Sequence, residues 1–303
     1  VQFYVNGANA WIQFHGPPAS GDSVEIAIGR KGLIGHWAFD DGVGDEVANL
    51  AATGDTYNGK LLDGAQFSTT ESKFGGGSLH IPFDQAGARV EVNNDGLKLQ
   101  APYTISAWFK NLYPNNTWRT LTRGLSADHH IILGAENDKL GLFSNANGSF
   151  RSSGFNMPSA DYQNAWHHLT AVAHSGRTDF YVDGVYKGAS DREGADTIFS
   201  IGNFQSGNQR FAEYIDDLRI YENALSGAQV AELYSESVWD DIGFTFGQNV
   251  LWSVTDSVKT ARNNLLGEIL AEIQSTGLAI EATAYDDHTI LLNFEDTTNG
   301  SLS

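Results

Sequence analysis

Short alternations of apolar and polar residues recur along most of the chain and are cut by Gly, Asn and Asp. Tyr103-Thr104-Ile105-Ser106-Ala107-Trp108-Phe109-Lys110, Trp166-His167-His168-Leu169-Thr170-Ala171-Val172 and Phe180-Tyr181-Val182 are representative. β-branched and aromatic residues at a period of two predict half-buried strands. Such strands arrive roughly every 8–15 residues between turn residues, the pattern of a two-sheet antiparallel jelly roll. This all-β sandwich is expected over residues 31–236. Asp183-Gly184, between Tyr181-Val182 and Val185-Tyr186, is a two-residue hairpin signal. Trp37, Trp108 and Trp166 stand among alternating apolar residues and are expected in the core.

The pattern changes at both ends. Residues 1–30 read as a small β unit: Val1 to Val5 and Trp11 to Phe14 alternate around an Asn6-Gly7 turn, and Ser23 to Ile28 forms a third strand. Residues 237–253 read as an irregular connector. Beyond it, Leu251, Val254, Val258, Ala261 and Leu265 recur at steps of three and four, and Ile269 and Ile273 continue the stripe. This predicts an amphipathic helix over 254–276, closed by Gly277, and a candidate trimeric coiled coil, because one such helix is marginal alone. Residues 277–303 hold two more strand patterns turning at Asp286-Asp287-His288, a C-terminal β-hairpin.

The sandwich ends on Glu213-Tyr214-Ile215-Asp216-Asp217-Leu218-Arg219-Ile220-Tyr221, a strand carrying two adjacent acids. Either carboxylate, if it points inward, requires a cation or backbone donors. Ser226 and Gln229 then make a capping box for a short helix whose Val230, Leu233 and Tyr234 share a face.

Seven stretches in order resemble the laminin-G/concanavalin A-like lectin superfamily. They are Gly32 to Gly42, Phe74-Gly75-Gly76-Gly77-Ser78-Leu79, Arg89-Val90-Glu91-Val92, the Tyr103 strand, the Trp166 and Phe180 strands, and the closing strand with its helix. The resemblance implies a jelly-roll fold and leaves the ligand open. Residues 1–30 are also similar to a repeat of phage tail-fibre and other virion appendage proteins, which are usually trimeric.

Composition narrows the partners. A net charge of −19 with no basic stripe argues against nucleic acid. No apolar run is long enough to span a bilayer, so membrane insertion is not expected. There are no cysteines, which excludes disulfides and thiolate metal sites. The chain starts at Val1 in mid-strand with Met157 its one methionine, and is expected to be a fragment of a longer polypeptide.

The resembled family often holds Ca²⁺ where the loop after the opening strand meets the closing strand. The resemblance implies a site drawn from Asp40, Asp41, Asp45, Asn49, Asp55, Asp216 and Asp217, a set of hard oxygen donors. Asn49 stands where the family usually has aspartate. His167-His168 and His129-His130 are adjacent pairs, which point to opposite faces of a strand and cannot chelate one zinc ion. The Glu-x-Asp-x-x-Glu run of the fold's glucanases does not occur, and no catalytic residue is expected. Three loop clusters pair aromatics with amides, the chemistry that stacks on and reads a sugar. They are Tyr113, Asn116 and Trp118; Tyr57 and Asn58; and Phe204 with Asn208. The expectation is a non-catalytic virion appendage protein, trimeric, at the virion surface or extracellular, attaching to host-surface glycan or to other virion proteins. A carbohydrate-binding module of a secreted bacterial adhesin or polysaccharide-degrading enzyme is the alternative.

Overall fold

The computed structural model describes residues 32–235, apart from 52, 115–116, 127, 136–137, 146–147 and 205–207. It also describes Leu266, Gly267 and Leu270 and the backbone of four terminal strands. The connector 237–253 and nearly all of the predicted 254–276 helix lie outside the described residues, although Leu266, Gly267 and Leu270 are helical.

Two units divide the chain, residues 30–238 and the two termini, 1–29 with 239–303. In the terminal unit the strands Gln2–Asn6, Asn9–Gln13, Thr289–Phe294 and Ile280–Asp286 lie side by side in that order, all antiparallel. Sequence alone separated the N-terminal unit from the C-terminal hairpin. In the structure Asn9–Gln13 pairs along its length with Thr289–Phe294, so the two share one four-stranded sheet. A pairing across nearly the whole chain leaves no local signal.

The central unit is the expected antiparallel sandwich of two eight-stranded sheets. The first runs Val185–Ser190, Arg177–Val182, Trp166–His174, Tyr103–Leu112, Ala212–Tyr221, Ser78–His80, Gln66–Ser68, with Leu33–Trp37 also pairing to Ala212–Tyr221. The second runs Ser149–Asn156, Lys139–Ser144, His129–Leu133, Arg119–Arg123, Ser200–Ile201, Arg89–Val92, Gly59–Leu62, Glu46–Val47. Trp37, Phe109, Phe180 and Phe211 are wholly buried in the core between the sheets. Burial of that extent contributes about 2–3 kcal/mol per side chain. The hairpin at Asp183-Gly184 forms as predicted, both residues at positive φ (51° and 72°).

The helix Gly227–Ser235 covers part of the outer face of the first sheet. Ser226 N–H donates to Gln229 Oε1 (2.9 Å) and Gln229 N–H to Ser226 Oγ (3.3 Å), the predicted capping box. Nine residues do not hold a helix in water. Val230 and Leu233 do so here, packed on Val172, Tyr221 and Leu225. Tyr234 stacks on Trp108 (5.6 Å between ring centroids). Trp108 therefore lies on the outer face, beneath Tyr234 and Lys73, and not in the inter-sheet core where the sequence put it.

Candidate functional site

The closing strand fixes the acidic end of the first sheet. Ser106 pairs with Arg219 and Trp108 with Asp216, so Ala107 faces two residues, Asp217 and Leu218. This bulge, with Asp217 at φ 51°, turns both acids outward while Leu218 stays in the core. Neither carboxylate points inward. Asp217 is held by Arg219 (Nη2–Oδ2 2.8 Å, Nε–Oδ1 3.0 Å) and by His36 Nε2 (2.8 Å). Burial acts to raise its pKa, but Arg219 and His36 outweigh that and hold it below the ordinary carboxylate value. Asp216 Oδ2 accepts the N–H groups of Lys73 (2.6 Å) and Phe74 (3.2 Å), whereas its buried Oδ1 has no partner. Burial, with repulsion from Asp217 and Asp40, pushes Asp216 up to about 8.

The opening strand Leu33–Trp37 pairs with the closing strand and delivers Asp40 to the same end. Asp40 Oδ1 accepts the N–H groups of Gly76 (2.7 Å) and Gly77 (2.8 Å). A Cβ on Gly75 would stand 2.0 Å from Asp40 Oδ2, so this turn is closed to any other residue.

The seven residues implied as Ca²⁺ ligands thus separate. Asn49 is buried, its Oδ1 accepting from His36 N–H (2.8 Å) and Ala51 N–H (3.3 Å), its Nδ2 donating to Thr53 Oγ1 (2.7 Å) and Gly54 O (3.0 Å). Asp41 accepts from Ala48 N–H (3.3 Å), Asp45 pairs with Lys60 (3.2 Å), and Asp55 is exposed in a short 3-10 turn. Asp217 is already neutralised by Arg219. No three acidic or histidine side chains are arranged to hold a metal among the described residues. What is left for a hard cation is the orphaned Asp216 Oδ1 next to Asp40, with the Lys73 ammonium also acting on Asp216.

The aromatic–amide clusters also separate. Tyr57 packs against the core and its carbonyl accepts from Trp37 Nε1 (3.0 Å), while Asn58 bridges Asn49 and Glu46. Tyr113 is buried and donates to Ile81 O. Asn208 Oδ1 accepts from Arg210 (2.8 Å), and Arg210 and Tyr113 flank Phe83, which is 59% exposed. Asn116 lies outside the described residues.

Trp118 and Phe204 come together on the outer face of the second sheet. There Phe150, Phe143, His129 and Arg123 are successive cross-strand partners on four neighbouring strands. Ring centroids lie 6.0 Å apart for His129–Phe143 and 5.8 Å for His129–Phe204. Trp118 stands 5.7 Å from Phe143 and 5.3 Å from Phe150. Trp118, Phe143, Phe150 and Phe204 are all half-buried. Gly141 makes room for this row: a Cβ there would meet Arg151 O at 2.2 Å and the Phe150 ring at 2.9 Å. Thr120 Oγ1 donates to Gln209 Oε1 (2.8 Å) and so accepts from His129 Nδ1–H (2.9 Å). Burial, then Arg123 and His130, push His129 down to about 3, keeping it neutral. Sequence reasoning missed His129, Phe143 and Phe150. Their alternation within strands was visible, but their alignment across strands was not.

The sandwich has a concanavalin A-like fold. Residues 84–231 match the laminin-G-type family model of the Concanavalin A-like lectin/glucanases superfamily. Among solved structures, domain 4 of AbnA, an extracellular GH43 arabinanase from Geobacillus stearothermophilus solved with arabinotriose, is similar at TM-score 0.51 and 22% identity. The match covers 67% of this chain and 98% of that domain. The binding domain of botulinum neurotoxin serotype D is similar at TM-score 0.50 and 14% identity, over 67% of this chain and half (50%) of that one. None of the curated proteins matches the chain.

Proposed function

We propose that the sandwich is a non-catalytic glycan-attachment module whose ligand lies on the aromatic row of the second sheet. The observation that carries this reading is the convergence of half-buried Trp118, Phe143 and Phe204 around the buried His129 ring on one outer face. Aromatic faces stack on the C–H faces of sugars, and the Gln209 amide beside them offers donors to hydroxyls. The setting proposed is an extracellular appendage, a phage fibre, spike or decoration protein, trimerised through 254–276 and directed at a host-surface glycan. Calcium enters as a structural ion held by Asp40 and Asp216.

A second reading, an accessory carbohydrate-binding module of a secreted bacterial protein, draws support from the arabinanase domain. Nearly all of that domain (98%) is covered, and it was solved with a bound trisaccharide. A glycan array probed with the intact chain tests attachment, and binding to at least one glycan class is expected. A blank array over neutral and acidic glycans alike overturns it. Light scattering separates the settings, since a monomer at micromolar concentration favours the accessory module.

A further inference from the structure

Resting on the attachment reading, we infer that this face takes an internal stretch of an uncharged, linear polysaccharide rather than a terminal or carboxylated sugar. Length comes first. Phe150, Phe143, His129 and Arg123 stand on four adjacent strands, so the row crosses three strand spacings. That is about 14 Å at the usual spacing between strands. The row is a strip rather than a pocket, and several consecutive sugar rings are needed to cover it. One ring leaves most of the aromatic surface in water, and each further ring adds stacking.

Charge comes second. The cation that adjoins the row, Arg123, is buried and already committed. Its guanidinium lies 4.3 Å above the Phe204 ring, it donates to Gly124 O (3.1 Å), and Asp196 lies close enough to offset its charge. His129 is fixed by the Thr120–Gln209 chain, with its Nδ1 bound as a donor and Nε2 left as a lone-pair acceptor. Gln209 gives its carbonyl to Thr120, which turns its amide NH₂ into the free donor. One neutral acceptor and one neutral donor read hydroxyls. A carboxylated sugar finds no uncommitted cation among these residues and meets a chain of net charge −19.

Calorimetric titration of the intact chain with linear neutral oligosaccharides of one to five units, and with uronic-acid oligomers of the same lengths, tests this. Affinity is expected to rise at least tenfold from one unit to four and then level off, with uronic-acid oligomers at least tenfold weaker at each length. A monosaccharide that binds as tightly as the tetramer, or an acidic oligomer that binds better than its neutral counterpart, overturns the inference and leaves attachment standing. If no oligomer of either series binds, and the array is blank as well, it is the attachment reading that fails.

Discussion

Replacing Arg219 with methionine isolates the network that holds the closing strand. Asp217 and Arg219 side chains are only 6% and 5% exposed, and their two contacts are 2.8 and 3.0 Å. Methionine keeps much of the volume and removes the charge, stranding a buried carboxylate with His36 as its remaining partner. Removing one member of such a buried pair costs about 3–5 kcal/mol. For a domain of this size each kcal/mol lowers the melting temperature by about 2–4 °C, so the variant should melt on the order of 10 °C lower. Urea denaturation at pH 7, followed by both tryptophan fluorescence and circular dichroism, measures the loss and checks that the probes coincide. Adding Asp217→Asn to the same chain removes the stranded charge and should recover at least half of the loss. A single variant that loses less than about 1 kcal/mol, or a double variant no better than the single, would refute the reasoning.

Three histidines and one aspartate set a second expectation. Burial pushes His129 and His168 down to about 3 and His130 down to about 4, from 6.5. Because these folded-state values are depressed, the stability they carry is present above pH 6.5 and drains away as the pH falls below it. Asp216, raised to about 8 from 3.8, has the opposite sign and loses its share as the pH rises towards 8. Three protons against one gives a slope on the order of 3 kcal/mol per pH unit at its steepest below pH 6.5. Urea midpoints should therefore peak near pH 6.5, and midpoints still climbing at pH 8 contradict this. Calcium at ten to a hundred times its Kd should stabilise chelator-treated protein by about 1.4–2.7 kcal/mol, and should leave Asp216→Asn unchanged. A wild-type melting temperature that does not move in millimolar Ca²⁺ removes the ion from the account. Gly141→Ala should push back the Ser149–Asn156 backbone at Arg151 and the Phe150 ring with it, and weaken binding of any array-positive glycan several-fold, read by calorimetry. Unaltered affinity in a folded variant argues against Phe150 as part of the row.

Features set by neighbours in sequence were legible without coordinates. The Asp183-Gly184 hairpin, the Ser226–Gln229 capping box and the strand alternation each follow from a few adjacent residues. Trp108 was placed on the wrong side because its strand is buried on both faces over most of its length, which erases the alternation that assigns a side. The outward turn of Asp217 depends on a single extra residue in one strand of a pair 110 positions apart in sequence, a register that periodicity does not contain. The aromatic row was half legible. Trp118 and Phe204 announced themselves as loop aromatics, whereas Phe143 and His129 looked like ordinary strand residues until pairing aligned them. Asn49 read as an oxygen ligand because a side-chain amide looks the same whether it holds a loop or an ion, and here it holds the loop.

The row containing Trp118 and the rim containing Phe83 are alternative platforms for the proposed glycan. Calorimetry with the tightest array ligand on wild type, Trp118→Ala and Phe83→Ala decides between them. The account predicts at least a tenfold loss of affinity for Trp118→Ala and less than a twofold change for Phe83→Ala. The reverse order, with both variants folded, would contradict it.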